Sequence, residues 1–116
     1  VALDSTGSPV RPAIIWSDSR SEAEVRRWSE TIGSARVEQI TGMPIATGML
    51  GVSLSWVQHE QPDVYRRIAH VFSPKDYIRF RLTDAVATEP TDAAGGLLFD
   101  IRHGVASDEI ADAVGL

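Results

Sequence analysis

The order of apolar and polar residues predicts a helix-rich chain of mixed α and β structure. Along much of the sequence, apolar residues recur every three or four positions, which is the period of an amphipathic helix. Short apolar runs that contain β-branched residues lie between these stretches and predict strands. The predicted helices are 19–33, 34–41, 49–59, 62–68, 74–82, 91–96 and 107–115, and the predicted strands are 1–3, 10–16, 70–72, 86–88 and 97–101.

The first two strands are expected to pair as a β-hairpin. Residues 4–9 hold Asp, Ser, Thr, Gly and Pro in a dense cluster, which is typical of a turn. The apolar, partly β-branched run 10–16 follows, and we expect it to be the more buried strand of the hairpin.

Residues that commonly begin and end helices mark the expected boundaries. Ser19 and Glu22 have the spacing of a capping box at the start of the first helix. Gly33 and Gly42 stand where a left-handed residue would end the first two helices. Ser107 precedes the last helix in the same way that Ser19 precedes the first.

Length and the chain ends bear on domain organisation. The chain has 116 residues, which fits one domain or part of one. It begins at Val1 without an initiator Met and stops directly after Gly115. We therefore expect 1–116 to be an internal, incomplete part of a domain in a longer polypeptide.

Composition excludes several classes of protein and site. The sequence has no Cys, which excludes disulfides, thiolate nucleophiles and Cys-based metal sites. No apolar run approaches the roughly 20 residues needed to span a bilayer, and no signal peptide pattern is present. The net charge of −5 disfavours binding to a phosphate backbone. We expect a cytoplasmic protein with neither a membrane nor a nucleic acid as partner.

No complete catalytic motif is visible in the residues themselves. The sequence has no Gly-rich phosphate loop, no zinc-protease motif and no nucleophile elbow around a Ser. His59, His70 and His103 are scattered without helical spacing, which favours surface or helix-end histidines over metal ligands. We expect neither a metal ligand nor a catalytic residue in this chain.

Three polar groups interrupt this structural pattern. Asp18 and Arg20 follow an apolar strand, where α/β proteins often place ligand groups, but a helix N-terminal role is favoured for both by the local sequence. For Asp76 the sequence favours a structural role in the first turn of a helix over contact with a ligand. Asp92 precedes small residues that allow a close backbone approach, either to another element or to a ligand.

In sequence order, five segments resemble the conserved segments of FGGY carbohydrate kinases, and the W-x-D-x-R and Asp-Ala-Ala-Gly forms resemble the xylulokinase branch. The order and spacing hold over nearly all of the chain, and five collinear matches are far more specific than any one of them. The matching segments are Val10-Arg-Pro-Ala-Ile-Ile-Trp-Ser-Asp-Ser-Arg20, Ile40-Thr-Gly-Met-Pro44, Leu54-Ser-Trp-Val57 with Gln61-Pro62, Phe72-Ser-Pro-Lys-Asp-Tyr-Ile-Arg-Phe-Arg-Leu-Thr83, and Thr91-Asp-Ala-Ala-Gly95 with Leu98-Phe-Asp-Ile101.

The resemblance implies part of the sugar-binding lobe of a two-lobed kinase with the ribonuclease H-like, actin/hexokinase-type fold. Such kinases transfer the γ-phosphoryl group of ATP to a sugar hydroxyl with the help of Mg²⁺, and a catalytic Asp acts as the base. The nucleotide lobe, the catalytic base and the remainder of the kinase chain would lie outside 1–116. The chain alone would therefore be inactive and would carry exposed edges through which it can self-associate.

The resemblance also implies which residues contribute to the sugar pocket. The expected substrate-binding residues are Asp18, Arg20, Thr47, Gly48, Met49, Asp76 and Asp92. Met49 to Ser53 depart from the aromatic-Thr-x-Pro-Lys that the family often has there, so the sugar stays open between xylulose, the first choice, and ribulose, rhamnulose, gluconate or glycerol. A helical interaction module without phosphotransfer, or a nucleic-acid-binding helical domain, are the alternatives from other classes.

Overall fold

A computed structural model describes residues 1–116 and shows seven α-helices with four short strands. The chain is helix-rich and mixed, which confirms the expected class. No helix combines the length and the apolar character that crossing a bilayer would require. In chain order the elements are β1 (Ala2–Leu3), α1 (Glu22–Thr31), α2 (Ser34–Thr41), α3 (Leu50–Glu60), α4 (Pro62–Tyr65), β2 (His70–Val71), α5 (Pro74–Thr83), α6 (Pro90–Gly95), β3 (Phe99–Asp100), β4 (Val105–Ala106) and α7 (Asp108–Val114).

The strands form two separate antiparallel pairs. β1 pairs with β2, with Ala2 opposite Val71 and Leu3 opposite His70. β3 pairs with β4, with Phe99 opposite Ala106. The strands β1 and β2 are therefore separated by most of the first 70 residues of the sequence. Their pairing brings the start of α5 beside the N-terminus.

The predicted hairpin of 1–3 with 10–16 is wrong. The structure has only two contacts of this kind. One is an isolated bridge between Leu3 and Pro9, and the other is a hydrogen bond from the Val10 amide to the Ala2 carbonyl. Proline has no amide hydrogen to donate to a ladder, and Pro9 and Pro12 stand at the start of the predicted strand. Residues 10–16 are instead irregular, and Trp16 is exposed rather than buried.

Two other predicted strands need correction. Residues 86–88 form no strand and are exposed. The run 97–101 is a strand only at Phe99–Asp100, since Leu97 has a positive φ of 65° that breaks the extended conformation.

Several helix ends agree with the sequence, but α4 stops at Tyr65 instead of reaching 68, and the C-cap of α1 is Ile32 and not the predicted Gly33. Gly42 ends α2 in the left-handed conformation, and the hydroxyls of Ser73 and Ser107 cap α5 and α7. The capping box predicted for α1 is absent, because the helix starts later and its N-cap is Ser21, which makes no side-chain capping bond.

The core lies where α1, α2, α3 and α7 meet. Trp28 is its largest residue, and the indole Nε1 donates a hydrogen bond to the buried Ser55 Oγ at 3.0 Å. Gly51 lets α3 approach the Trp28 ring closely, because a Cβ at Gly51 would lie 2.6 Å from that ring. The buried apolar cluster consists of Trp28, Val37, Ile40, Val52, Leu97 and Ile110. This packing fixes α3, whose N-terminal turn borders the candidate site.

Candidate functional site

An open cavity of about 650 Å³ lies between the irregular segment before α1 and the N-terminal ends of α3, α5 and α6. Its wall is mostly apolar with a few polar groups, as is common for small-molecule sites. The residues that line it are Val1, Ala2, 11–16, 47–50, Ser53, Leu54, Val57, Ile68, 71–74, Thr91, Asp92, Gly95 and Gly96.

Four of the seven residues expected at a sugar pocket line this cavity. Thr47, Gly48 and Met49 form the loop before α3, and Asp92 lies in the first turn of α6. The loop crosses the segment 10–16 directly, with the backbone of Gly48 against that of Trp16. The structure thus brings separated parts of the chain to one concave surface.

Most of the cavity residues were not among the predicted site residues, and Trp16, Arg11 and Ser73 are three of them. Trp16 is 86% exposed at the cavity, Arg11 lies in the same segment, and Ser73 precedes α5. The signal for Trp16 was present, since it belongs to the W-x-D-x-R segment. Arg11 and Ser73 also lie within matching segments, but an Arg before Pro and a Ser before Pro are each ordinary in loops, so their residue types did not single them out.

Asp18 and Arg20 do not line the cavity. The Arg20 Nε lies 2.9 Å and 3.0 Å from the two Asp18 carboxylate oxygens, and the Arg20 amide donates to Asp18 Oδ1. The hydrogen bonds from Arg20 lower the pKa of Asp18, and those to Asp18 raise the pKa of Arg20. The Arg20 guanidinium lies over the Trp56 ring, 4.9 Å from its centre, on the side of α3.

Asp76 is also outside the cavity, and it is buried beneath the N-terminus of α5. Its Oδ1 contacts Lys75 Nζ at 2.8 Å and Arg79 Nη1 at 3.2 Å. Burial alone raises the pKa of this carboxyl, but hydrogen bonds from Lys75, Thr88 and Ser73 outweigh burial and lower the pKa. A buried charge with this many partners is typical of a structural anchor.

Asp92 connects that anchor to the cavity. Its Oδ2 lies 2.9 Å from Ser73 Oγ and 3.0 Å from Lys75 Nζ, whereas no protein group donates to its Oδ1. The Ser73 hydroxyl lies 3.0 Å from Asp76 Oδ2 as well, so its single proton serves one carboxylate at a time. Asp92 therefore has one fixed oxygen and one oxygen free to accept a hydrogen bond.

The acidic groups do not form a metal site. No group of three or more His, Cys, Asp or Glu side chains is arranged to hold a metal ion. Around Lys75, the carboxylates of Asp76, Glu89 and Asp92 lie 2.8, 3.6 and 3.0 Å from the ammonium nitrogen. The hydrogen bond to Asp76, and after it the bond to Asp92, raise the pKa of Lys75. The ammonium group takes the place that a cation would need.

The whole chain, residues 1–116, matches the N-terminal domain of the FGGY family of carbohydrate kinases. Among curated proteins, it is 38% identical over 102 residues to a xylulose kinase of Staphylococcus xylosus, a match that covers 88% of the chain and 21% of that protein. It is 36% identical over 114 residues to a xylulose kinase of Escherichia coli K12, covering 98% of the chain and 23% of that protein. The chain thus spans about a fifth of the length of these relatives.

Solved structures agree with the sequence matches. The chain superposes on a crystal structure of a xylulose kinase from Rhodospirillum rubrum with a TM-score of 0.93 and 27% sequence identity. The match covers the entire chain and 24% of that protein. The helices, the strand pairs and the irregular wall of the cavity together therefore follow an arrangement known from a solved kinase.

Proposed function

The chain belongs to the FGGY family of carbohydrate kinases, and from this membership we propose that the protein containing it phosphorylates a ketopentose, with xylulose as the preferred substrate. The family match over all 116 residues is the observation that carries the kinase reaction, whereas the choice of xylulose rests on the individual relatives. The relatives described above, at 38% and 36% identity, are both xylulose kinases. The reaction would move the γ-phosphoryl group of ATP to a sugar hydroxyl.

We propose that residues 1–116 supply part of the wall of the sugar pocket within the N-terminal lobe. Thr47 and Met49 offer side chains to the cavity, and Gly48 offers its backbone. The free Oδ1 of Asp92 is suited to accept a hydrogen bond from a sugar hydroxyl, since a carboxylate acceptor gives a strong bond. In this proposal Asp18, Arg20 and Asp76 support the wall from outside the cavity.

ATP and Mg²⁺ are proposed for the protein as a whole, where ATP supplies the phosphoryl group and Mg²⁺ offsets its charge. The residues of this chain do not fit either group. The sequence has no Gly-rich phosphate loop, and the Lys75 ammonium already lies among the carboxylates of its acidic cluster. We assign no residue of 1–116 to the nucleotide, the metal or the catalytic base.

The proposed partners are the sugar and the remaining polypeptide of the kinase, and the proposed compartment is the cytoplasm. A phosphoryl transfer needs the attacking hydroxyl, the phosphate and the base in one closed site. Because this chain offers only a sugar-facing wall, we propose that it has no kinase activity on its own.

A substrate panel tests the proposal. ATP consumption by the product of the complete gene is measured with xylulose, ribulose, rhamnulose, gluconate and glycerol, and we expect xylulose to give the highest kcat/KM. A higher kcat/KM for gluconate or glycerol would contradict the substrate, and no phosphorylation of any sugar would contradict the reaction.

Asp92→Asn tests the site within the same protein. Asn keeps an accepting oxygen but loses the charge, so the hydrogen bond from the sugar is weakened, and the sugar KM is expected to rise about three- to tenfold, with little change in the KM of ATP. Asp112→Asn is the matched control, because Asp112 is exposed and lies outside the cavity. An unchanged sugar KM in Asp92→Asn would remove Asp92 from the site.

A further inference from the structure

The segment 10–20, called the strap below, forms one wall of the cavity without belonging to a helix or strand. Only two of its backbone amides donate to backbone carbonyls, Val10 to Ala2 and Asp18 to Ile15, each at 3.0 Å. Only the first of these bonds reaches beyond the strap. The Ser19 carbonyl accepts from the Glu22 amide at 3.1 Å, which joins the end of the strap to α1. No backbone hydrogen bond joins residues 11–16, which line the cavity, to an element outside the strap, so backbone bonding does not explain how this wall is held in place.

Side chains at both ends of the strap hold it to one residue of α3. The guanidinium carbons of Arg11 and Arg20 lie 5.7 Å and 4.9 Å from the centre of the Trp56 ring. Arg11 Nε also donates to Gln61 Oε1 at 3.0 Å, at the C-terminal end of α3. Trp is the best aromatic ring for a cation–π interaction, and Arg is the more frequent cation in such contacts.

The charges of this arrangement are partly balanced. Asp18 pairs with Arg20 at 2.8 Å between its Oδ2 and Arg20 Nη2, which reduces the repulsion between the two cations. Arg11 has no carboxylate partner, and burial followed by the charge of Arg20 lowers its pKa. The groups that offset the charge of Arg11 are the Gln61 amide oxygen, the Trp56 ring and the carboxylate charge of Asp18.

We propose that Trp56 is a positioning residue for the sugar pocket, which acts by anchoring both ends of the strap so that Ile14, Ile15 and Trp16 face the cavity. Trp56 itself does not line the cavity. This inference rests on the proposed function, and it assigns to Asp18 and Arg20 a role in bracing Trp56 and the strap in place of direct contact with sugar.

Trp56→Leu and Trp56→Phe in the complete kinase test the inference. Trp56→Leu is expected to raise the sugar KM about tenfold, the size of losing two cation–π contacts, while the KM of ATP and kcat stay within about twofold. Trp56→Phe keeps an aromatic face and is expected to recover most of the loss. Combining Arg20→Met with Trp56→Leu is expected to add little, because both remove the same contact.

Ser55→Ala is the matched control for general destabilisation, since Ser55 is buried on the same helix but faces Trp28. It is expected to lower stability without changing the sugar KM. The inference is overturned if Trp56→Leu leaves the sugar KM unchanged, or if the KM values of sugar and ATP rise together.

Tryptic cleavage after Arg20 gives a readout that needs no kinase activity. Trp56→Leu is expected to accelerate this cleavage several-fold over wild type, and Trp56→Phe is expected to restore it. If the wild-type kinase phosphorylates no sugar, the proposed function fails, while the cleavage rates still decide whether Trp56 holds the strap. Equal cleavage rates in wild type and Trp56→Leu would show that it does not.

Discussion

The backbone of Gly48 lies directly against the backbone of Trp16. A Cβ at residue 48 would be 2.1 Å from the Trp16 carbonyl oxygen and 2.6 Å from its carbonyl carbon. Gly48 also has a φ of +75°, which side chains with a Cβ rarely adopt. This contact sets the distance between the loop before α3 and the strap, and so it sets the width of the cavity at that point.

Gly48→Ala is therefore expected to be severely destabilising, by at least about 4 kcal/mol, because backbone cannot move aside as a flexible side chain can. Urea unfolding of the chain measures this loss. In the complete kinase, the same change is expected to abolish saturation by sugar at concentrations that saturate the wild type.

Gly104→Ala measures the cost of backbone strain alone, without the steric overlap that a Cβ at residue 48 would have with Trp16. Gly104 has a similar φ of +70°, but a Cβ there meets no atom within 4 Å. Gly104→Ala is expected to lower the free energy of unfolding by only about 1–2 kcal/mol, which is the strain of a left-handed residue with a Cβ. Equal losses in the two variants would mean that the contact with Trp16 is not the cause.

Ser55→Ala is expected to destabilise the chain by about 1–3 kcal/mol, because it leaves the buried Trp28 indole N–H without an acceptor. Thermal and urea unfolding measure the loss. The bond at 3.0 Å joins α1 to α3 inside the core, where water is not available to replace it.

Ser21→Ala is the matched control for a buried hydroxyl. Ser21 is fully buried, and its Oγ has no hydrogen-bond partner. Its removal is expected to leave stability unchanged or slightly higher, since no bond is lost. A loss as large as that in Ser55→Ala would contradict the role given to the Trp28 bond.

Asp76 is expected to contribute to acid sensitivity. The pKa of its carboxyl is lowered in the folded chain from an ordinary value of 3.8, so the folded state binds fewer protons than the unfolded state. The stability that this supplies is present above pH 3.8 and is lost as the pH falls through the lower, folded-state pKa.

Asp76→Asn is accordingly expected to cost about 1–2 kcal/mol at neutral pH, a value reduced by the half-exposed position of Lys75. The difference in unfolding free energy between Asp76→Asn and wild type is expected to shrink as the pH falls below 3.8, as followed by urea unfolding across the pH range. Asp112→Asn, at an exposed carboxylate, should follow the wild-type curve. If the difference in unfolding free energy between Asp76→Asn and wild type stays constant with pH, the shape of the side chain and not its charge explains the loss of stability.

Local signals explain how much of the fold could be predicted. The positions of α2, α5 and α7 follow from their Gly and Ser caps and apolar spacing, and the structure agrees within a few residues. The hairpin prediction failed because the partner of Ala2–Leu3 is His70–Val71, far away along the chain. Pairing over that distance depends on tertiary packing, which no local pattern records.

The candidate site was predictable to a similar extent. The loop 47–49 and Asp92 were named from the family resemblance, and both line the cavity. The locations of Asp18 and Arg20 could not be foreseen, since nothing in the sequence around them indicates that Trp56, more than 30 residues later, lies under the Arg20 side chain. Whether any of these residues contacts a sugar remains a prediction.

The outer face of α5 bears on self-association. Ile78 and Leu82 lie one helical turn apart and are 60% and 79% exposed, and Val86 adds a third exposed apolar side chain beyond the helix. Adjacent exposed apolar groups on one face commonly mark a surface that another polypeptide covers. In the chain 1–116 alone, the only polypeptide available to cover this face is a second copy.

We therefore expect the chain to sediment as a dimer or a larger species at high concentration, and Leu82→Lys to shift it towards the monomer. The added charge would have to be desolvated against an apolar partner, whereas it costs little on an exposed monomer surface. Thr83→Lys, which adds the same charge at the neighbouring exposed position, is expected to leave the sedimentation profile unchanged. A monomeric wild-type chain, or an equal shift by both variants, would show that this face is not the contact and that its apolar residues do not drive association.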